Sequence, residues 1–186
     1  MPLSPPVQRE ALHKRLYEMR GYQRKDGLWD IEGLIVDTKT YAFENEFRGT
    51  IEPDVPLHEM VIRLTLDDDF VVRDIEGVTE NGPFEVCPSI TPNLKKMIGR
   101  KVGPGWRKAI RQNLGGVEGC THLSELLGAM ATVAYQTLYP TLAKRERGKP
   151  REGKPGLLNS CHAFRSDGEI TKKSWPEFYT GPRDLD

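Results

Sequence analysis

The chain lacks several features that would assign it to a broad class at once. It has three cysteines in 186 residues, an odd number and far too few for a disulfide scaffold, so a reducing, cytoplasmic setting is expected. Its 27 basic and 27 acidic residues cancel, which argues against a general binder of nucleic acid or of anionic membranes. No apolar run approaches the roughly 18 residues of a membrane span, and the first ten residues have no hydrophobic stretch typical of a secretory signal.

The best-known catalytic signatures are also missing. The sequence contains no Walker loop, no G-x-G-x-x-G after a strand, no G-x-S-x-G and no H-E-x-x-H. These absences disfavour nucleotide binding and the common hydrolase mechanisms. We therefore expect no nucleotide cofactor, and a small-molecule substrate rather than a macromolecular one.

Four segments are predicted from the composition along the chain. Residues 1–24 read as an N-terminal arm, Pro-rich at first and then a polar helix or coil, and residues 25–143 as an α+β core. Residues 144–156 form a charged Gly/Pro linker without core-forming side chains. The tail, 157–186, is rich enough in apolar and aromatic residues to predict an ordered segment that packs back on the core.

The first half of the core predicts a three-stranded antiparallel meander. Residues 28–37 are rich in β-formers, and Gly33 among them indicates a bulge or a close backbone approach. Residues 57–66 alternate between apolar and polar, which puts His58 on the apolar face. An acidic turn then leads to a returning strand at 70–79, which completes a hairpin.

The second half of the core predicts three helices. The first opens at Thr91, a good N-cap before a proline, and the second covers residues 104–114. The third begins at Thr121 and carries an apolar stripe that continues over four turns. The predicted fold class is therefore α+β, a meander followed by three helices and an ordered tail.

Possible metal ligands stand at the junctions of these elements: His58, Cys87, Cys120 and His122. Thiolate and imidazole are the ligands of tetrahedral zinc and of many iron sites, and we favour zinc over iron. Each residue also has an ordinary structural interpretation, such as a buried cysteine or a hydrogen-bonded core histidine. Cys161 and His162 form another adjacent pair in the tail, and the sequence leaves open whether they reach the site.

Catalytic roles are predicted for His122, Asp30 and Arg63. Cys120 precedes a helix N-terminus, which stabilises a thiolate, and His122 is then either the fourth ligand or an acid/base. Asp30 shares a strand face with Glu32, which fits general acid/base chemistry and fits a solvated strand face at least as well. Arg63 could hold an anionic substrate, although single arginines are usually surface residues.

Much of the chain resembles one bacterial family, the domain-of-unknown-function family numbered 2889. The resemblance lies in residues 26–33 (DGLWDIEG), 57–60 (LHEM) and 119–123 (GCTHL), with 161–163 (CHA) and 175–176 (WP) near the end. It implies a bacterial protein that accompanies aromatic and acyl-CoA catabolism.

A second resemblance is to the iron–sulfur scaffold (IscU/NifU-like) fold. His58 takes the place of that fold's first cysteine, Cys87 of its second and Cys120 of its third. Met60 stands where the scaffolds carry an aspartate, and their His-Cys pair is replaced by Gly119-Cys120. The resemblance thus implies a three-ligand site and favours a mononuclear metal over an assembled cluster.

Three functions follow as expectations. The first is a cytoplasmic metalloenzyme, a lyase or hydrolase acting on an aromatic or acyl small molecule, in one form a carbon–carbon lyase that releases a small aldehyde. The second is a metal-independent lyase, in which Asp30, His58 or His122 acts as acid/base in the same pocket. The third is a non-enzymatic metal or iron–sulfur scaffold or accessory protein. The sequence does not decide the oligomeric state, and a homodimer is compatible with it.

An aromatic-lined cleft is also predicted. Trp29 and Trp106, together with Trp175 or Tyr179 of the tail, would suit an aromatic substrate.

Overall fold

The computed structural model describes residues 3–145 and 153–182. The chain divides into two compact units, Met1–Arg145 and Glu146–Asp186. Most of the predicted linker, residues 146–152, lies outside the described residues. The predicted division into arm, core, linker and tail remains a prediction.

The first unit is built on a four-stranded antiparallel sheet with strand order β1-β2-β5-β6. The strands are β1 His13–Gln23, β2 Trp29–Lys39, β5 His58–Leu66 and β6 Val72–Asn81. Between β2 and β5 the chain forms a short hairpin of β3 Phe43–Asn45 and β4 Gly49–Ile51. The α+β class and the antiparallel meander are confirmed, but the three predicted strands are β2, β5 and β6 of six.

Strand β1 corrects the prediction of a polar helix or coil within the arm. Residues 13–23 pair along their whole length with β2. This strand lies at the sheet edge and most of its side chains are exposed. Because neither face is fully buried, its sequence lacks the apolar alternation that reveals a strand.

Two of the three predicted helices are confirmed, and the first one differs. Helices α1 Trp106–Leu114 and α2 Thr121–Arg145 lie where their patterns predict. The segment expected to begin at Thr91 is instead a 3₁₀ helix, Cys87–Met97. It contains Pro92 in its interior, and a proline has no N–H to donate to an α-helical ladder. A second short 3₁₀ turn, Gly116–Glu118, precedes α2.

Helix α2 packs across strands β1, β2 and β5 on the core face of the sheet. Gly33 faces it: a methyl group added there would lie 2.9 Å from Met130 Sδ and 3.1 Å from Leu126 Cδ1. The close backbone approach predicted at Gly33 is therefore present. Gly21 of β1 is in similarly tight contact with Thr137 of α2.

Both tryptophans of the first unit are core residues, so they do not line a cleft as predicted. Trp29 and Trp106 are almost fully buried. Their indole N–H groups donate to Asp68 Oδ1 at 2.9 Å and to the Leu127 carbonyl at 3.1 Å, respectively. An aromatic substrate could reach neither ring without unpacking the core.

The second unit contains one short α-helix, α3 Glu169–Ser174, between 3₁₀ turns at His162–Phe164 and Pro176–Phe178. The Phe164 and Trp175 rings pack with their centroids 5.7 Å apart. An ordered tail is thus present over 153–182, whereas its predicted return to the core remains a prediction. Within the part of the chain that the structure describes, no helix is both long and apolar enough to cross a bilayer.

Candidate metal centre

A row of polar side chains crosses the sheet at one end of its core face. Arg15 of β1 is opposite Asp37 of β2, and Asp37 is opposite His58 of β5. Residues directly opposite each other in antiparallel strands share a face, so the three side chains stand side by side. The N-terminal turn of α2 adds His122 and Glu125 to the same cluster.

Asp37 is the centre of this cluster. Its side chain is only 3% exposed, and both of its oxygens are engaged. Arg15 donates from Nε to Oδ1 and from Nη2 to Oδ2, each at 2.7 Å. His13 Nε2 lies 3.1 Å from Oδ1. Oδ2 faces the other two histidines, at 3.2 Å from His58 Nδ1 and 3.4 Å from His122 Nε2.

Interactions with neighbouring side chains keep the Asp37 carboxylate ionised. Burial opposes its charge, but the hydrogen bonds and charge of Arg15, with help from His13 and His58, hold the pKa of Asp37 below its ordinary value. Arg15 also donates from Nη1 to Glu125 Oε2 at 2.7 Å. Two carboxylates, Asp37 and Glu125, thus face one guanidinium, and this excess of acidic side chains suits a bound cation.

His58 and His122 are stacked, with ring centroids 3.8 Å apart and an interplanar angle of 29°. Burial and the proximity of His122 lower the pKa of His58 to about 4, despite the attraction of Asp37. His58 is therefore a neutral imidazole near pH 7, the form that binds metals. Its buried Nδ1 lies 3.2 Å from Asp37 Oδ2, but this contact lacks the geometry of a hydrogen bond.

Three donor atoms converge at this point. Asp37, His58 and His122 each offer one atom, and the three atoms all lie within 4.8 Å of one another. Ligands held at about 2.1 Å around a tetrahedral ion are about 3.4 Å apart, close to the two distances measured from Asp37 Oδ2. Because the rings are stacked at an interplanar angle of 29°, their lone pairs lie in nearly parallel planes, and coordination of one ion by both rings requires the rings to tilt further apart.

Cys120 lies beside the cluster, on the other edge of the His122 ring. Its Sγ is 3.8 Å from Nδ1, whereas the ring's Nε2 faces Asp37. Burial raises the pKa of the Cys120 thiol, but the hydrogen bond with His122 and the backbone N–H groups of Leu123 and His122 outweigh it, so the pKa lies below its ordinary value. The thiol is free and partly buried.

Of the predicted site residues, the structure brings together His58, His122 and Cys120. Among the described residues, the convergent group includes neither Cys87 nor the Cys120 sulfur, and their roles as ligands remain predictions. Cys87 lies against Gly82, at the end of β6.

The predicted catalytic residues Asp30 and Arg63 lie away from the cluster. Asp30 accepts a hydrogen bond from Thr65 Oγ1 at 2.7 Å. Arg63 pairs with Glu32 at 2.9 Å and with Glu76 at 3.5 Å. Asp30 and Asp37 are seven residues apart on β2, roughly 23 Å along the strand and on opposite faces. Any acid/base role of Asp30 would therefore belong to a different site.

Sequence reasoning missed Asp37, Arg15 and His13. The sequence does contain a signal for Asp37. Every second residue of β2 is buried, from Trp29 and Ile31 onwards, and Asp37 continues that series. A carboxylate on an apolar strand face needs a partner. No comparable signal marks Arg15 or His13, which lie on the exposed edge strand.

Fold and site together define an α+β protein with a buried His–Asp cluster at one end of an antiparallel sheet. The chain belongs to the family described as "Protein of unknown function (DUF2889)", whose model matches residues 13–136. That stretch contains every residue of the cluster, and the predicted family is confirmed. No curated protein and no solved structure matches the chain, so the resemblance to the iron–sulfur scaffold fold gains no support.

Proposed function

We propose that this protein is an enzyme that binds a divalent cation through Asp37 Oδ2, His58 Nδ1 and His122 Nε2. The observation that carries the proposal is that one donor atom from each of these three residues lies within 4.8 Å of the other two, and that Asp37 Oδ2 is 3.2 Å from His58 Nδ1 and 3.4 Å from His122 Nε2. The buried Nδ1 of His58 supports it, because this nitrogen faces Asp37 Oδ2 at 3.2 Å without the geometry of a hydrogen bond, and a cation bound by both atoms would satisfy them. Imidazole and carboxylate suit zinc, which we favour over iron.

The proposed reaction is a lyase or hydrolase step on a small molecule. Three protein ligands leave a position for water or substrate, where the cation supplies Lewis-acid polarisation of an oxygen. Arg15 fixes the Asp37 carboxylate in one orientation, and neutral His58 needs no deprotonation before it binds. An aromatic or acyl substrate is what the family resemblance implies, and a carbon–carbon cleavage that releases a small aldehyde is one concrete form of the proposed lyase step. Cytoplasmic location and a homodimer likewise remain predictions.

A metal-independent acid/base enzyme is the second candidate, and one observation favours it. Both Asp37 oxygens already accept hydrogen bonds from Arg15. In that arrangement His122, 3.4 Å from Asp37, would transfer protons while the carboxylate holds its ring in place. The two candidates use the same residues and differ in whether a metal is present.

Metal content decides between them. Full-length protein purified without an affinity tag or chelator should contain about one zinc per chain by plasma mass spectrometry. Asp37→Asn, His58→Gln and His122→Gln should each weaken zinc binding more than about 100-fold, because even second-shell changes cost about 10- to 100-fold.

Matched controls exist for each substitution type. Asp30→Asn changes a carboxylate on the opposite face of the same strand, and His162→Gln changes a histidine of the second unit. Both controls should retain the metal. Protein that binds no zinc or iron, or binds them equally well in Asp37→Asn and Asp30→Asn, would rule out this ligand set and leave the acid/base candidate.

A further inference from the structure

We infer that Cys120 is a positioning residue, which holds the His122 ring so that Nε2 faces the cation site. The inference rests on the proposed function. The two nitrogens of His122 have different neighbours: Nδ1 is 3.8 Å from Cys120 Sγ, and Nε2 is 3.4 Å from Asp37 Oδ2. Sulfur and carboxylate thus contact opposite edges of one ring.

The direction of the hydrogen bond follows from imidazole chemistry. A neutral imidazole that binds a cation through Nε2 keeps its proton on Nδ1. Nδ1–H of His122 then donates to Cys120, and the sulfur is the acceptor. Metal-bound histidines commonly donate their second N–H to a fixed acceptor, which sets both tautomer and ring orientation. Cys120 supplies that acceptor here.

The sulfur is itself held in place by the start of α2. The Cys120 carbonyl accepts the N–H of Ser124 at 2.9 Å, the first bond of the helical ladder. Cys120 therefore occupies the N-cap position, where an acceptor side chain satisfies free helix donors. Its sulfur is not one of the three convergent donor atoms.

The variants Cys120→Ser and Cys120→Ala distinguish a positioning role of Cys120 from other roles. A serine hydroxyl at position 120 can accept both from the helix N–H groups and from the His122 ring, whereas alanine can accept from neither. Cys120→Ala should weaken cation binding about 10- to 100-fold, the usual cost of losing such a partner. Cys120→Ser should bind within about threefold of the wild-type chain, since the acceptor is kept.

The test is a titration of the full-length chain and its variants with Co²⁺, followed by absorption spectroscopy. Cobalt bound by oxygen and nitrogen shows weak visible bands, whereas a thiolate ligand adds an intense near-ultraviolet charge-transfer band. The wild-type chain should show only the visible bands. Cys87→Ala is the control for removal of a thiol elsewhere and should bind like the wild type.

Each outcome has a distinct meaning. A sulfur charge-transfer band that disappears in Cys120→Ser would make Cys120 a ligand and overturn the inference. Equal binding by wild type and Cys120→Ala would overturn it as well, while the cation site would stand. If the wild-type chain binds no cobalt or zinc, the proposed function itself fails. Should Cys120→Ala not fold by circular dichroism, Cys120→Val replaces it as the variant that lacks an acceptor, and binding by Cys120→Val equal to that of Cys120→Ser would overturn the inference.

Discussion

At the scale of single residues, the cluster combines groups that oppose one another electrostatically. Burial disfavours charge on both Asp37 and His58, yet the guanidinium of Arg15 keeps the carboxylate ionised. The neighbouring His122 ring instead helps to keep His58 neutral. As a result, the buried Asp37 anion lies beside the neutral imidazole of His58. When the pH falls, the imidazole is protonated first.

His58 makes folding stability depend on pH. Its pKa is about 4 in the folded protein, against about 6.5 in an unfolded chain. The folded state binds fewer protons, so the stabilisation is complete above about pH 6.5 and is lost as the pH falls towards 4. At pH 5 the loss is roughly 2 kcal/mol.

Urea unfolding of the metal-free protein at pH 7.5 and pH 5 measures this loss. His58→Gln removes the titrating group, so its free energy of unfolding should fall less between the two pH values. An equal fall in the wild type and the variant would show that His58 is not buried as a neutral ring.

The Cys120 thiol should respond to its neighbour. Because the hydrogen bond from His122 helps to lower the thiol pKa, His122→Ala should move the pH profile of iodoacetamide alkylation at Cys120 to higher pH. Mass spectrometry of peptides resolves each cysteine separately, and exposed Cys161 serves as the internal control. An unchanged profile at Cys120 would mean that the ring does not stabilise the thiolate.

At the scale of elements, the site depends on how closely α2 approaches the sheet. His122 reaches Asp37 only because the first turns of α2 lie directly on β2. Gly33 permits this, since its missing side chain makes room for Met130 and Leu126.

Gly33→Val should therefore destabilise the fold by about 1–3 kcal/mol, the usual cost of overpacking. It should also weaken metal binding, because a displaced α2 carries His122 away from Asp37. Gly128→Ala is the matched control: this glycine lies within α2 with open space around it, and alanine there should stabilise the helix by about 0.5–1 kcal/mol. Thermal unfolding and zinc titration of both variants check the prediction. Unchanged stability of Gly33→Val would show that α2 does not pack closely there.

At the scale of the whole molecule, the first unit carries both its own core and the candidate site. Its buried cluster runs from Trp29 to Leu138, and the site residues run from His13 to Glu125. All the residues named in that buried cluster and in the site belong to the first unit.

A chain ended after Arg145 should fold cooperatively and bind zinc within a few-fold of the full-length protein. Circular dichroism and zinc titration of the two proteins make the comparison. Loss of binding in the shortened chain would show that the tail contributes a ligand or a covering contact. Faster alkylation of Cys120 in the shortened chain would support the predicted return of the tail to the core.

Local periodicity in the sequence is enough to identify single strands and helices and the face on which a residue lies. Alternation over residues 57–66 identifies a strand with His58 on its apolar face, and a 3.6-residue stripe identifies α2 with Cys120 at its start. Arg15 gave no such signal, because an exposed edge strand needs no alternation.

Which polar groups come into contact depends on how the strands and helices are assembled. Strand register places Arg15, Asp37 and His58 in one row, and the docking of α2 turns one edge of His122 towards Asp37 and the other towards Cys120. Register and docking are settled by packing between residues far apart in the chain, such as Gly33 and Met130. No local sequence pattern contains this information. The sequence therefore predicted two of the proposed ligands, His58 and His122, but not the geometry in which they meet Asp37.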